Sequence, residues 1–274
     1  MPVFLDATDA DFEASFTTLL NAKREDSPDV DATVAGIIDD VRMRGDAAVI
    51  ELTAKFDRIT LTPDSLRITS EEVATACRQV SAEDRAALEL AAARIRAYHE
   101  RQLPEDAEWT DEAGATLGWR WSAVSAAGLY VPGGLASYPS SVLMNAIPAK
   151  VAGVTRLAMV VPTPDGVLNP LVLLAAQISG VDEIYRIGGA QAVAALAYGT
   201  DAIAPVDKIT GPGNAFVAAA KRRVFGKVGI DMIAGPSEIL VIADGDNGPD
   251  WIALDLLSQA GHDESAQSLL ITTD

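Results

Sequence analysis

The sequence contains few of several residue types that chemistry depends on. Its 274 residues include one cysteine, two histidines and only 5% aromatic residues. The single cysteine, Cys77, has no partner for an intrachain disulfide, which favours a cytoplasmic protein. The histidines are His99, in a charged stretch near a predicted helix end, and His262, so histidine-based acid/base catalysis has few candidates. No Gly-x-Ser-x-Gly nucleophile elbow is present either.

Positive charge is also scarce. Lys and Arg number 21 against 39 Asp and Glu, which gives a formal net charge of −18. An acidic surface repels phosphate backbones and anionic membranes, so we expect neither nucleic acid nor membrane as a partner. The apolar runs are interrupted by proline, glycine or charge well before the ~20 residues that a membrane span needs. The first fourteen residues lack the basic start of a signal peptide.

What is abundant points to a layered globular fold. Hydrophobic residues make up 49% of the chain and the mean hydropathy is +0.18. At about 150 residues per domain, the length predicts two domains. Roughly the first hundred residues have helical periodicity, with a break expected at Gly45, and residues 109–124 have the pattern of a β-hairpin. From residue 126 onward, strands, glycine turns and helices alternate, which predicts an α/β fold with parallel βαβ units.

These patterns predict individual elements. Helices are expected at 9–23, 31–56 (in two parts), 69–80 with a Thr69/Glu72 capping box, 81–102, 141–152, 169–179, 190–197, 214–225 and 249–260. Strands are expected at 66–69, 156–161, 183–187, 206–210, 238–243 and 268–272.

Three glycine-rich turns follow predicted strands, at residues 130–134, 188–191 and 211–214. In a parallel sheet such turns meet at the carboxyl edge, where open α/β sheets bind ligands, and helix N-termini there attract phosphate. None matches the GxGxxG dinucleotide fingerprint or a Walker loop. Gln191 and Asn214 open two of the helices, where each amide either caps its helix or binds the ligand. Together the turns predict a ligand cleft.

A second group of polar residues lies near the end of the sequence. Asp255, Gln259 and His262 share one helix face, so Gln259 and His262 can reach one metal ion. From spacing alone, a dipole interaction of His262 at the helix C-terminus is the stronger reading. Ser237, just before a strand, is either a turn residue or a ligand contact.

Several sequence blocks, in order, resemble the histidinol dehydrogenase family. They are Gly128–Gly134, Tyr138–Asn145, Gly188–Ala192, Val206–Ile209, Gly211–Asn214, Asp231–Met232, Ala234–Glu238 and Leu257–Ala260.

The resemblance implies a zinc-dependent, NAD-dependent enzyme that oxidises L-histidinol to L-histidine through an aldehyde stage, and a homodimer. Matched by motif, Tyr130, Gln191 and Asn214 are expected to bind NAD, and Ser237 the substrate. Gln259 and His262 are expected to bind both zinc and substrate.

The resemblance also implies the domain layout. It gives two Rossmann-like αβα domains without GxGxxG, one inserted in the other, with the C-terminal part incomplete. A helical segment (residues 1–24) precedes the first domain (25–129 and 238–274), and the inserted domain covers 130–237.

The sequence departs from the family in two respects. Gly261 stands where family members usually have Glu. The family's general-base His, its paired Glu and two further zinc ligands, one from the partner subunit, lie in a part that continues past Asp274. We therefore expect no catalytic residue in these 274 residues and little or no activity from them alone.

Two alternative functions stay open. One is a non-catalytic nucleotide-binding module or split-protein half that pairs with another chain. The other is a dehydrogenase for other amino alcohols or polyols.

Overall fold

The structure, a computed structural model, describes residues 3–21, 28–133, 138–233, 237–261 and 266–273. The chain divides into two compact units. One consists of residues 29–234, and the other of residues 1–28 together with 235–274. The domain boundaries expected at residues 24, 129 and 237 remain predictions.

The described residues form ten α-helices. They are α1 (Phe12–Asn21), α2 (Pro28–Arg44), α3 (Asp46–Asp57), α4 (Ser70–Cys77), α5 (Ala82–Glu100), α6 (Pro139–Val151), α7 (Pro170–Ser179), α8 (Gly189–Tyr198), α9 (Ala215–Val224) and α10 (Pro249–Ala260).

The same residues form nine strands. They are β1 (Ala107–Thr110), β2 (Thr116–Trp119), β3 (Ala126–Tyr130), β4 (Arg156–Val160), β5 (Glu183–Tyr185), β6 (Lys208–Thr210), β7 (Gly229–Ile230), β8 (Glu238–Ala243) and β9 (Gln267–Thr272).

The larger unit is built on a five-stranded sheet of order β5-β4-β3-β6-β7, in which every pairing is parallel. The chain runs outward from β3 to β5, then returns to the other side of β3 to form β6 and β7. The order therefore reverses between β3 and β6, which is where open parallel sheets bind ligands.

Helices provide apolar partners for the sheet in two separate cores. One core joins buried side chains of α2, α3, α8 and α9 to the sheet, and the other joins α4, α5, α6 and α7 to it. All five residues of β3 are buried, as expected for a central strand covered on both faces. β1 and β2 form a separate antiparallel hairpin.

The smaller unit contains α1, a parallel pair of strands and α10. β8 and β9 pair over their full length, from Glu238 opposite Gln267 to Ala243 opposite Thr272. α10 connects the two strands and contacts both of them. This is a βαβ unit, as the alternation of the sequence predicts.

Most predicted elements are present, with ends shifted by a few residues. Gly45, with φ of +55°, separates α2 from α3 as expected. The Thr69/Glu72 capping box is confirmed at the start of α4. The strand predicted at 66–69 is wrong: the segment makes only one isolated bridge, between Arg67 and Tyr185 beside β5. The mixed α/β class with a parallel sheet is confirmed.

In the described part of the chain, no helix is both long and apolar enough to cross a membrane.

Candidate functional site

The glycine turns predicted to meet at one sheet edge do so. The turn after β3 and the turn after β5 both pack on Pro162, which follows β4. A Cβ at Gly133 would lie 2.7 Å from the Pro162 carbonyl oxygen, and one at Gly188 would lie 2.5 Å from the Pro162 Cβ. These turns therefore need glycine because the three strand ends approach so closely.

The turn after β6 approaches the end of β3 on its other side. Gly211 has φ of +117°, and a Cβ there would lie 2.0 Å from the carbonyl oxygen of Tyr130. Only glycine accommodates both that dihedral angle and that contact. The backbone at 211–214 is therefore held against Tyr130 at the point where the strand order reverses.

Tyr130, the last residue of β3, is buried in this edge. The Gly189 backbone N–H donates to its hydroxyl oxygen at 3.0 Å. Burial, together with the smaller effect of the Asp57 charge, outweighs the hydrogen bond from Gly189 and raises the pKa of the Tyr130 phenol to about 12. Tyr130 thus remains a neutral hydroxyl at physiological pH and links the end of β3 to the first turn of α8.

Gln191 lies in that same first turn and is only 2% exposed. Its Oε1 has no hydrogen-bond donor among the described residues. The Gly189 backbone lies close to this oxygen, because a Cβ at Gly189 would be 2.7 Å from it. A buried amide oxygen without a donor costs free energy and is typical of a site whose donor arrives with a ligand.

Asn214 confirms the capping alternative. It precedes α9, and its Oδ1 accepts the Val217 N–H at 3.2 Å. The side chain is exposed, and with Oδ1 engaged in the cap, its amide nitrogen is the group with hydrogen atoms to donate. Capping and ligand binding by Asn214 are therefore compatible.

Lys221 supports this loop, and the sequence analysis did not identify it. Although only 3% of the residue is exposed, its Nζ donates to the Gly211 carbonyl oxygen at 2.9 Å and forms an ion pair with Asp231. Asp231 in turn accepts the Gly211 N–H at 2.8 Å. A signal was available, because Lys221 falls at i+4 from the buried Val217 in an amphipathic helix.

A cavity of about 510 Å³ opens at the same edge, beyond the ends of β3 and β4. Its walls are mainly apolar, and its polar lining includes Arg58, Thr163, Asp165 and Asn169. The Arg58 guanidinium donates to both carboxylate oxygens of Asp165, at 2.8 and 2.6 Å, and holds the pKa of Asp165 below its usual range. The sequence analysis did not identify this cavity.

The second predicted group lies in the smaller unit. Ser237 is exposed just before β8, and its carbonyl oxygen accepts the Gln267 N–H at 3.0 Å. Gln259 is half-buried in the last turn of α10. His262 lies outside the described residues. The roles of all three remain predictions.

Two further residues were assigned structural positions from the sequence. Cys77 is buried at the end of α4, and burial raises the pKa of its thiol. His99, in the last turn of α5, contacts Gln102 through Nδ1 at 2.6 Å and the ring of Tyr98 edge-on. Among the described residues, no contact links Cys77 or His99 to the sheet edge described above.

Gly261 caps α10 with ordinary right-handed backbone angles, φ −81° and ψ −6°. Any L-residue adopts this conformation. The backbone therefore does not require glycine at this position.

Comparison with known proteins gives one consistent family. Residues 20–274 match the family model described as histidinol dehydrogenase. The histidinol dehydrogenases of Ruegeria pomeroyi and Cereibacter sphaeroides are 83% and 75% identical to this chain over all 274 residues. These matches cover 100% of this chain and 63% of each relative, so the chain spans about three fifths of their length.

A solved structure agrees with the sequence relatives. The crystal structure of histidinol dehydrogenase from Elizabethkingia anophelis has a TM-score of 0.86 and 37% identity to this chain. The match covers 95% of this chain and 60% of that chain.

Proposed function

Because the chain belongs to the histidinol dehydrogenase family, we propose that it acts in the NAD- and zinc-dependent oxidation of L-histidinol to L-histidine through the aldehyde. These are the last steps of histidine biosynthesis. The part that these 274 residues contribute is the NAD-binding cleft and two of the zinc ligands.

The strand order supports a Rossmann-like domain without GxGxxG. Counted from β3, the order β5-β4-β3-β6-β7 is 3-2-1-4-5, the order of the first five strands of a Rossmann sheet. Dinucleotides bind such sheets at the reversal point. The smaller unit is discontinuous in sequence, which supports an arrangement with one domain inserted in another.

The observation that carries the NAD assignment is the unpaired Oε1 of Gln191. It is a buried acceptor that finds no donor in the described part of the chain, at the N-terminus of α8, where the Gly189 N–H binds the Tyr130 hydroxyl. The carboxamide of a nicotinamide and the hydroxyls of a ribose are donors of the kind that it lacks. The N-termini of α8 and α9 add partial positive charge for a diphosphate.

When bound, NAD would supply the hydride acceptor, and the two oxidations would each reduce one NAD molecule. The residues of this chain bind and orient it. Tyr130, held by the Gly189 N–H, fixes the end of β3, while Gln191 accepts a hydrogen bond and Asn214 donates one through its amide nitrogen. Lys221 and Asp231 each form a hydrogen bond with the Gly211 backbone and so hold residues 211–214 in place for the contact of Asn214 with NAD.

Zinc needs more ligands than these residues provide. Among the described residues no three His, Cys, Asp or Glu side chains come together as a metal site. Zinc takes four ligands, so Gln259 and His262 alone do not fit a complete site. We propose that they contribute two ligands in the whole enzyme and that Ser237 contacts the substrate.

We therefore expect these 274 residues to bind NAD but not to oxidise L-histidinol by themselves. Removing the hydroxyl proton requires a positioned base, worth about 10²–10⁴-fold in rate. Of the two histidines, His99 is engaged by Gln102 and His262 is proposed as a zinc ligand.

The experiment is calorimetric titration of the 274-residue chain with NAD, followed by an assay for NADH formation with L-histidinol and zinc. We expect binding without turnover. Gln191→Leu removes the buried acceptor and should lower NAD affinity about tenfold or more. Gln177→Leu, an exposed glutamine on α7, is the matched control and should bind as the parent does.

Each outcome has a distinct meaning. Absence of NAD binding overturns the cleft assignment, and turnover by the 274 residues alone overturns the proposed inactivity. Activity that appears only after a second chain is added supports the split-protein alternative.

We also propose a homodimer in the cytoplasm. The smaller unit leaves large apolar side chains exposed on β8, β9 and α10, and such exposure is typical of an interaction surface. They are Leu240, Ile242, Trp251, Leu254, Leu257, Leu270 and Ile271. Sedimentation velocity should show dimers whose share rises with concentration, and a monomer at all concentrations contradicts the proposal.

A further inference from the structure

The turn after β4 packs against the end of α3. Asp57, the last residue of α3, is 8% exposed, and its carboxyl accepts the backbone N–H of Thr163, three residues past β4. Ile59 lies beside Gly166 in the same turn, because a Cβ at Gly166 would be 3.5 Å from the Ile59 Cδ1. Two residues at the end of α3 therefore contact the turn at different points along it.

Arg58, which stands between these two residues in sequence, forms a third contact. Its guanidinium donates to both carboxylate oxygens of Asp165, at 2.8 and 2.6 Å. Arg58 and Asp165 both line the cavity of about 510 Å³ beyond β3 and β4. The ion pair thus joins two parts of the cavity wall that lie 107 residues apart in sequence.

The backbone is strained at both members of this pair. Arg58 has φ of 56° and ψ of 32°, and Asp165 has φ of 56° and ψ of 19°. Among the described residues, they are the only ones other than glycine with a positive φ. A Cβ makes this left-handed conformation unfavourable, although Asp tolerates it better than Arg does. The two residues that form the ion pair are therefore also the two that carry the strain.

Stability of the fold does not explain this arrangement. The side chains of Arg58 and Asp165 are 61% and 59% exposed, and an ion pair between such exposed side chains stabilises a protein little. Glycine at either position would relieve the strain of the dihedral angles. Strained residues that the surrounding structure holds in place are typical of active sites and ligand clamps. The position of the pair in the cavity wall fits such a role.

We propose that Arg58 and Asp165 form a positioning pair, which fixes the turn after β4 against the end of α3 and so shapes the cavity wall before NAD binds. The inference rests on the proposed function, because the cavity opens at the sheet edge where we place NAD. A wall that is already in its binding position spares the ligand the cost of ordering it. The effect requires the two side chains to contact each other and not the ligand.

The test compares four forms of the 274-residue chain: the parent, Arg58→Gly, Asp165→Gly and the double variant. Each glycine removes one partner of the ion pair and relieves the strain at its own position. For each form, calorimetry measures NAD affinity, urea denaturation measures stability, and hydrogen–deuterium exchange measures the order of the turn.

Two amides inside the turn report on its order. The Gly166 N–H donates to the Thr163 carbonyl oxygen at 2.9 Å, and the Val167 N–H donates to the Pro164 carbonyl oxygen at 3.1 Å. Without NAD, both amides should exchange faster in the three variants than in the parent, because the turn is no longer held by the ion pair.

We expect each single variant to bind NAD about fivefold or more weakly than the parent, because the binding-competent wall is present for a smaller fraction of the time. The double variant should bind no more weakly than the single variants, since either substitution already breaks the pair. The urea midpoint should stay the same or rise in all three, because glycine relieves the strain.

The matched control is Arg223→Ala, which breaks a different exposed ion pair. The Arg223 Nε donates to an Asp31 carboxylate oxygen at 2.8 Å. Arg223 lies in the last turn of α9, at the opposite end of that helix from the 211–214 turn. This variant should bind NAD as the parent does.

Several results would overturn the inference. NAD binding at the parent's affinity or tighter by either single variant would show that the pair does not position the wall. Additive losses in the double variant would indicate that each side chain contacts the ligand directly. A lower urea midpoint, or failure to fold, would indicate a structural role only. Unchanged exchange of the Gly166 and Val167 amides would show that the pair does not hold the turn.

The parent separates this inference from the proposed function. A parent that binds no NAD refutes the proposed cofactor and the inference together. A parent that binds NAD, with variants that behave in any of the ways just named, refutes the inference alone.

Discussion

Among single residues, Gly211 shows most directly how the cleft depends on backbone contact. Gly211→Ala would place a Cβ 2.0 Å from the Tyr130 carbonyl oxygen at a φ of +117°. We expect a loss of about 3 kcal/mol or more in the free energy of unfolding, since strain and steric overlap add.

The control for this prediction is Gly226→Ala. Gly226 also has a positive φ, +99°, but a Cβ there meets nothing within 4 Å. Gly226→Ala should lower the free energy of unfolding by about 1–2 kcal/mol, which is the cost of the dihedral angle alone. Urea denaturation of both variants measures the difference. Equal losses would show that the contact with Tyr130 has no energetic weight.

Lys221 should stabilise the fold far more than a surface lysine. Lys221→Met leaves Asp231 without its ion-pair partner and removes the donor to the Gly211 carbonyl. We expect a loss of about 2 kcal/mol, because the lysine is buried while Asp231 is partly exposed.

The matched variant is Lys150→Met, which breaks an ion pair with Asp182 at 2.8 Å nearer the surface. It should cost less than about 1 kcal/mol. Thermal unfolding of the two variants compares them. If Lys150→Met proves as costly as Lys221→Met, burial does not explain the role of Lys221.

Among secondary-structure elements, the start of α4 offers a pH-dependent test. Burial raises the pKa of Glu72, but hydrogen bonds from Thr69 and from Arg186 outweigh burial and hold the pKa below that of a free glutamate. A carboxyl with a lowered folded pKa stabilises the fold above its unfolded pKa and loses that contribution as the pH falls.

We therefore expect Glu72→Gln to cost about 1 kcal/mol at pH 7, a modest figure because the side chain is 37% exposed. The difference from the parent should shrink as the pH drops below about 4.5. Glu71→Gln, exposed in the same turn, should show little effect at any pH. Urea denaturation from pH 3 to 7 measures it, and a pH-independent difference would contradict the assignment.

Secondary structure was predictable where the sequence carries a local signal for the end of a helix. Helices whose ends carry a cap or a glycine were predicted closely: Asn169 caps α7, and Gly45 separates α2 from α3. The strand prediction at 66–69 was wrong because the apolar pattern of this segment reflects burial beside β5, where it makes a single bridge. β7 has only two residues, too few for any periodicity to reveal.

For the whole molecule, the sequence predicted that the glycine turns meet at one sheet edge, but not every residue that lies there. Tyr130, Gln191 and Asn214 sit in turns whose glycines mark the sheet edge. Asp57 and Lys221 belong to helices and reach the edge only through the tertiary fold. No spacing rule connects Asp57 with Thr163, which is more than a hundred residues away in sequence.

We propose above that NAD binds at the carboxyl edge where the strand order reverses. The most direct measurement is hydrogen–deuterium exchange of the 274-residue chain with and without NAD. We expect slower amide exchange in the turns after β3, β4, β5 and β6, with no comparable change in β8, β9 or α10. Unchanged exchange in those turns, or protection confined to the smaller unit, would contradict it.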